Sequence, residues 1–161
     1  MNSLREFDDT CHRLAQTQAR LFERSSHEGL PSAYFAKVFM HSEYADKMDD
    51  LSYIDSFLSS GDVYSGVERS LKMDRGMVYS PSIMHWAGYF YRAFAYLYEL
   101  RSPWLFKQIP LSYLASVYPA YHSLDIRKAI LNVIEAKGLS NYENDLWKRT
   151  LLALRKSINR V

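Results

Sequence analysis

Hydrophobic positions along the chain recur at helical spacing, and no segment sustains the alternation of a β-strand. The clearest helical segment runs from about residue 81 to residue 101. Ser80 and Pro81 form a helix start, with serine as the N-cap and proline in the first turn. The side chains that follow, including Trp86 and Phe94, are apolar on nearly every face. A helix of this kind is buried, so the segment predicts an aromatic central helix.

The N-terminal third of the chain predicts two helices. Ser3 and Glu6 have the spacing of a capping box, and apolar residues at intervals of three and four continue from there to about Arg24. Pro31 opens a second helix that fades near Asp50.

The next stretch is less regular. Apolar residues between 53 and 58 predict a short third helix, which the polar run at 59–62 ends. For residues 63–78, Val67 and Leu71 could lie on a helical turn, but Gly66 and Gly76 favour a mostly irregular connection.

Prolines and caps divide the C-terminal third. Pro110 ends a short helix that begins at Trp104, and Pro119 ends another that begins at Leu111. Asp125 caps a clean amphipathic helix with Gly138 at its end. Ser140 and Glu143 form a second capping box, and the last helix follows it to Val161.

The length of the chain fits a single domain over residues 1–161, since domains commonly have about 100–150 residues. Aromatic residues make up 15% of the chain and thirteen of them are tyrosine. The sole cysteine, Cys11, allows no internal disulfide and lies on an apolar stripe, where it acts as a core residue. We therefore predict an all-α, single-domain irregular helical bundle around one buried aromatic central helix.

No membrane span or export signal is predicted. The most apolar stretch, residues 83–100, is interrupted by three polar residues, whereas a span needs about 20 mostly apolar residues. The N-terminus has no apolar signal region. The cytoplasm is the expected location.

Charge is distributed unevenly, although the net charge is only +2. Residues 42–62 contain six acidic residues against one lysine, and residues 140–161 contain five basic residues against two acidic ones. The two ends could meet within the fold or each could meet a partner. The basic positions in the last helix that form a candidate partner-binding surface are Lys148, Arg149, Arg155 and Lys156.

A solvated face is the first interpretation of that basic helix, an acidic protein partner the second and nucleic acid the third. Nucleic-acid-binding domains usually have a pI above about 9, and this chain has a pI of about 8.6. Homo-oligomer formation stays open.

The central helix carries a polar stripe. His85, Arg92 and Glu99 are seven residues apart and share one face, with Tyr89 and Tyr96 beside them. This stripe is either solvated or paired internally, with Gly88 and Ala95 allowing a neighbouring helix to approach closely, or it lines a pocket that holds an anionic or planar group. Buried arginine and glutamate are normally paired, which favours the first interpretation.

A second candidate lies just before the helix at Asp125. Tyr121 and His122 precede the start of that helix, where a histidine could take part in acid–base chemistry or bind an anion. A simple cap with a surface histidine beside it explains the same residues. The seven candidate pocket residues are thus His85, Tyr89, Arg92, Tyr96, Glu99, Tyr121 and His122.

No complete catalytic, cofactor or metal motif is present in the sequence. The five histidines do not have zinc-site spacing, and there is no glycine-rich phosphate loop or nucleophile elbow. We therefore assign no catalytic residue, no metal ligand and no cofactor from sequence.

Three segments resemble a group of small uncharacterised bacterial proteins. The segments are Met84-His85-Trp86-x-Gly88-Tyr89-x-Tyr91-Arg92, Tyr96-x-Tyr98, and Tyr121-His122-x-Leu124-Asp125-x-x-x-Ala129-Ile130. That group resembles antitoxin or partner components encoded beside small proteins with an ADP-ribosyltransferase-like fold. The resemblance covers residues 79 to 136 and implies a bacterial cytoplasmic protein in a toxin–antitoxin or phage-defence setting. It assigns no catalytic residues.

Two functions follow as hypotheses. The first is a non-enzymatic binding or regulatory protein, such as the neutralising partner of a toxin. The alternative is a small enzyme or nucleotide-binding module that uses the Arg/Tyr/His pocket. The alternative requires His85, Arg92 and His122 to converge on one open pocket.

Overall fold

The computed structural model describes residues 2–51, 60–71 and 75–139, together with Arg155. Between residues 2 and 139, the described segments form eight helices and contain no strand. The helices are α1 (Asp9–His27), α2 (Ser32–Met40), α3 (Glu43–Asp49), α4 (Ser60–Ser70), α5 (Pro81–Tyr98), α6 (Ser102–Gln108), α7 (Leu111–Tyr121) and α8 (Ile126–Ala136). The predicted all-α fold is confirmed.

Helix α5 is the buried centre of the bundle, as its apolar pattern predicts. Helix α1 packs along it, and α6, α7 and α8 also contact it. Phe90 and Phe94 are fully buried and lie edge to face with ring centroids 5.9 Å apart. Tyr98 continues the row, 5.1 Å from Phe94. Such aromatic pairs add to the stabilisation that burial alone provides.

Gly88 allows α1 to approach α5 closely. A Cβ atom at this position would lie 2.8 Å from Cγ of Phe22 and 2.9 Å from the backbone oxygen of Gln18. Real Cβ contacts are longer than this, so a larger residue would force the two helices apart. The close approach expected of Gly88 is confirmed.

The two ends of α5 differ in how well the sequence predicts them. Ser80 caps the start, with its hydroxyl accepting from the Ile83 amide at 3.3 Å. The predicted end near residue 101 is wrong: the helix ends at Tyr98, because Glu99 takes a left-handed conformation with φ of 50°. The Leu100 amide then donates back to the Ala95 carbonyl at 2.9 Å, which closes the last turn.

The predicted capping box of Ser3 and Glu6 is wrong. The Ser3 hydroxyl donates to the Arg5 carbonyl, and the amides of Leu4 and Arg5 donate to the Leu97 carbonyl at 2.7 and 3.0 Å. This non-helical segment thus satisfies a carbonyl at the end of α5, where helical partners are lacking.

Helix α1 starts instead after Asp8 and runs to His27, beyond the expected end at Arg24. The Asp8 carboxylate accepts from the Cys11 amide at 2.9 Å. That hydrogen bond is the main reason why the pKa of Asp8 is lowered. Cys11 itself is fully buried, as expected of a core residue.

The second predicted helix is two helices. Helix α2 ends at Met40, and Ser42 caps α3 by accepting from the Ala45 amide at 3.3 Å. A serine inside a predicted helix can end one helix and begin the next because its hydroxyl replaces a backbone acceptor.

The irregular connection predicted from residue 63 is wrong as far as Ser70, since α4 covers residues 60–70. Buried Val63, Tyr64 and Val67 anchor this helix in the core. Gly66 lies inside this helix, where a Cβ atom would overlap the Tyr44 side chain. The glycine therefore provides space for the Tyr44 side chain and does not form a turn.

Near the C-terminal end of the described chain, the predicted caps are confirmed, whereas the predicted end of a helix at Pro119 is wrong. Helix α7 continues past Pro119 to Tyr121, and the His122 amide closes its last turn onto the Tyr118 carbonyl at 3.0 Å. Asp125 caps α8 by accepting from the Arg127 amide at 2.9 Å, as predicted. Gly138 follows α8 with φ of 64°, also as predicted.

Two predicted helices lie outside the described residues: the short helix at 53–58 and most of the last helix, with the capping box that opens it. Of the basic candidate surface, only Arg155 is described, and it is helical and exposed. Among the described helices, none has the length and apolarity required to cross a bilayer.

Replacing Phe94 with alanine should lower the free energy of unfolding by about 3–5 kcal/mol, because a fully buried aromatic ring is lost and leaves a cavity. Urea denaturation measures this. The control is Leu131→Ala at a residue that is 49% exposed, which should cost less than about 1 kcal/mol. Equal losses in the two variants would contradict the central position of α5.

Replacing Asp125 with alanine should cost about 1 kcal/mol at neutral pH, because α8 loses its cap. Its hydrogen bonds, first with the Arg127 side chain, lower the pKa of Asp125 to about 2. A carboxylate with a lowered pKa stabilises the fold above its unfolded pKa, and this contribution is lost as the pH falls through the folded value. The difference between wild type and variant should therefore narrow between about pH 4 and pH 2. A difference that stays constant over this range would contradict the assignment.

Candidate functional site

An open groove of about 410 Å³ lies where α1, α5 and α7 meet. We call it the histidine groove. Its lining residues are His12, Gln16, Glu23, Ser82, His85, Trp86, Tyr89, Tyr118 and His122. Three of the seven candidate pocket residues, His85, Tyr89 and His122, are among them. The groove is within the size range of small-ligand sites, about 300–1,000 Å³.

One wall of the groove is a contact between α1 and α5. Nδ1 of His12 lies 2.8 Å from the Tyr89 hydroxyl, with the two rings edge to face. Burial raises the pKa of Tyr89 to about 12. The phenol therefore stays neutral near pH 7 and keeps its proton for hydrogen bonding.

A second contact between the same helices joins a histidine to a carboxylate. Nδ1 of His85 lies 3.0 Å from Oε2 of Glu23. The other Glu23 oxygen is 3.8 Å from Nε2 of His27. A carboxylate can only accept, so Nδ1 of His85 carries the proton and, in neutral imidazole, Nε2 keeps a lone pair.

A second wall comes from the end of α7. Nδ1 of His122 donates to the Tyr118 carbonyl at 2.8 Å, and the two rings stack with centroids 4.5 Å apart. Tyr118 also lies edge to face against Trp86, at 5.8 Å. The carbonyl is an obligatory acceptor, so neutral His122 also keeps its lone pair on Nε2.

Arg92 does not line the groove. It is 1% exposed and lies inside the bundle. Its guanidinium donates to Oε1 of Gln18 at 2.8 Å, to Oδ1 of Asp49 at 2.6 Å and to Oγ of Ser102 at 2.9 Å. Burial lowers the pKa of Arg92 and the Asp49 carboxylate opposes that shift. The central polar stripe is thus paired internally at its midpoint.

Asp49 is shared between Arg92 and the start of α6. Its carboxylate also accepts from the Ser102 amide at 2.8 Å and the Ser102 hydroxyl at 2.6 Å. On the surface, Arg101 binds Asp46 and lies 2.5 Å from Asp50. Part of the acidic stretch at 42–62 therefore meets arginines of α5 and the α5–α6 connection within the fold.

The remaining candidates lie elsewhere. The Tyr96 hydroxyl donates to both oxygens of Asp8, at 3.0 and 2.9 Å, beside the start of α1. Glu99 pairs with Arg5 at 3.1 Å. Tyr121 packs against the core from α7. The structure thus divides the predicted pocket into a groove, a buried cluster and a contact with the N-terminal segment.

Sequence reasoning missed several lining residues, above all His12, Glu23 and Tyr118. A weak signal existed: His12, Gln16 and Glu23 are spaced by four and seven, which places them on one helical face. Nothing in the sequence indicated that this face of α1 meets His85.

Among the described residues, no three His, Cys, Asp or Glu side chains are grouped so that they could hold a metal ion. A second cavity, of about 510 Å³, lies between the N-terminal segment, the end of α5 and α8, and it contains none of the seven candidates. The histidine groove is therefore the site that contains three of these candidates, His85, Tyr89 and His122.

Comparison of the chain with known protein families, curated proteins and solved structures gives no match. The resemblance of residues 79–136 to antitoxin-like partner proteins stays a prediction, and the site rests on its own geometry.

Neutral His85 and His122 should both carry the ring proton on Nδ1, because each Nδ1 faces an oxygen that can only accept. Long-range ¹H–¹⁵N correlation spectra distinguish the two tautomers. His41 provides an internal control, since its Nδ1 lies 2.7 Å from the Lys37 carbonyl. A proton on Nε2 of either groove histidine, with His41 behaving as expected, would contradict the described contacts.

Proposed function

We propose that this protein is a bacterial, cytoplasmic binding protein that acts without catalysis and engages a partner protein through the histidine groove. The setting that the resemblance implies is a toxin–antitoxin or phage-defence module, in which this chain neutralises or regulates the partner.

The composition of the groove carries the proposal. Trp86, Tyr89 and Tyr118 line it together with three histidines. Tryptophan and tyrosine are enriched among the residues that dominate protein–protein binding energy, because they combine a large apolar surface with a polar group. An open groove with this lining fits a protruding segment of another protein.

The position of Arg92 further supports binding over an enzyme that uses the Arg/Tyr/His pocket. That enzyme needs Arg92 to hold an anionic group, and the guanidinium is held within the core by Asp49, Gln18 and Ser102. Bringing Arg92 to the groove would leave the Asp49 carboxylate buried without its partner, which costs several kcal/mol.

The contact between His85 and Glu23 favours a second candidate, a small acid–base enzyme. A carboxylate that orients Nδ1 of a histidine leaves Nε2 available as a general base. Within the described part of the chain, no hydrogen bond reaches Nε2 of His85. This candidate needs His85 and Glu23, but not Arg92.

The test uses this protein and the product of the gene next to its own, each purified separately. We expect a complex, and we expect the double variant His12→Ala/His122→Ala to raise its Kd by about tenfold or more, since important interface residues each contribute more than about 1 kcal/mol. The matched control is His41→Ala. His41, like His122, is an exposed histidine that follows a helix and contacts the carbonyl four residues earlier.

Co-expression gives the functional measurement. Wild-type chain should restore the growth of cells that express the partner, His41→Ala should do so equally well, and the double variant should do so less well. The absence of a complex would contradict the proposal. Turnover of a nucleotide by the purified chain, abolished by His85→Ala, would establish the enzyme instead.

A further inference from the structure

The histidine groove has a charge opposite to that of the chain as a whole. Among its nine lining residues, Glu23 is the one formally charged side chain when the histidines are neutral, and no lysine or arginine is present. The whole chain carries a net charge of +2. The Glu23 carboxylate therefore attracts a cation that enters the groove and repels an anion, and no fixed positive charge of the lining opposes this preference.

His85 and His122 present hydrogen-bond acceptors to the groove. His85 and His122 use their Nδ1 protons on Glu23 and on the Tyr118 carbonyl, at 3.0 and 2.8 Å. Each neutral ring can then offer only an Nε2 lone pair to a ligand. With the Glu23 carboxylate, the groove has acceptors on both of its walls, which suits a ligand with several N–H donors.

The aromatic lining suits a planar cation. Cations are attracted to the faces of tryptophan and tyrosine rings within about 6 Å of the ring centre. The protein already uses this interaction elsewhere: the Arg24 guanidinium lies 4.0 Å from the Tyr64 ring centre, and the Lys137 ammonium lies 4.0 Å from that of Tyr113.

We propose that the histidine groove binds an arginine side chain presented by the partner protein. The Glu23 carboxylate pairs with the guanidinium, the groove histidines accept its N–H groups, and the aromatic lining contacts its flat face. Arginine fits better than lysine because its fork of five donors is planar and can reach acceptors on two walls while stacking on an aromatic ring. This proposal deepens the proposed function and rests on it for the identity of the occupant as a protein.

The direct test is an NMR titration of the full chain with three small probes: the N-acetyl methylamides of arginine, citrulline and lysine. Citrulline has nearly the shape of arginine but no charge. The arginine amide should shift the ring signals of His85 and His122 in a saturable way and leave those of His41 unchanged. The affinity of the citrulline amide should be lower by at least about tenfold, since hydrogen bonds to a charged group contribute about 1.5–3 kcal/mol.

Variants assign the charge recognition to the groove. Glu23→Gln should weaken binding of the arginine amide by about tenfold or more, for the same reason. The matched control is Glu135→Gln, an equal change of charge at an exposed position of α8 outside the groove. It should change the affinity by less than about twofold, as exposed substitutions away from a site have small effects. His122→Ala should weaken binding without removing the Glu23 carboxylate.

Three results would overturn the proposal: equal binding of citrulline and arginine amides, equal or tighter binding of lysine amide, or unchanged binding in Glu23→Gln. Other results distinguish a failure of the arginine assignment from a failure of the proposed function. If the purified partner binds wild type and Glu23→Gln equally and the arginine amide does not compete, the arginine assignment is wrong while partner binding stands. If the amide binds and no partner does, the groove recognises arginine and the proposed function is wrong.

Discussion

A charged guanidinium at the centre of the bundle constrains the arrangement of the helices around it. Arg92 is 1% exposed, and a buried charge without a partner costs several kcal/mol. The three side chains that bind it come from α1, α3 and α6, namely Gln18, Asp49 and Ser102. Gln18 is also tied to α5 a second time, since its amide donates to the Gly88 carbonyl at 3.0 Å. Each of these helices must therefore keep its position relative to α5 if the charge is to stay compensated.

The histidine groove depends on the same arrangement. Its α1 wall and its α5 wall are held together by the cluster around Arg92 and by the close approach at Gly88, so that His12 reaches Tyr89 and Glu23 reaches His85 without an adjustable loop between them. Groups held on packed helices lose little conformational freedom when a ligand binds. Arg92 thus acts in the interior, while His85 and Tyr89 of the same helix line the groove.

Features that depend on residues close together in the chain could be predicted from the sequence. The apolar faces of α5 and the Asp125 cap follow from residues near each other in the chain, and the regular seven-residue spacing placed Arg92 on one polar face. The roles of Asp49, Ser3 and His12 depend instead on tertiary contacts, which the sequence does not show. Nothing distinguished Asp49 from the five other acids in residues 42–62, because its role depends on where α3 meets α5. The Ser3 capping box is a sound local signal, yet the backbone there pairs with the Leu97 carbonyl. His12 belongs to the groove for the same reason: helix packing brought it there.

The most direct test of the role of the buried Arg92–Asp49 pair is a double-mutant cycle. The free energy of unfolding is measured in urea for wild type, Arg92→Met, Asp49→Asn and the double variant. Asparagine keeps acceptors for the Ser102 amide, and methionine fills much of the arginine volume. If the pair fixes the interior, each single variant should lose about 3–5 kcal/mol, and the double variant should be at least as stable as either single one, because neither charge is then left alone. Losses that simply add, to within about 0.5 kcal/mol, would contradict the central role of this interaction.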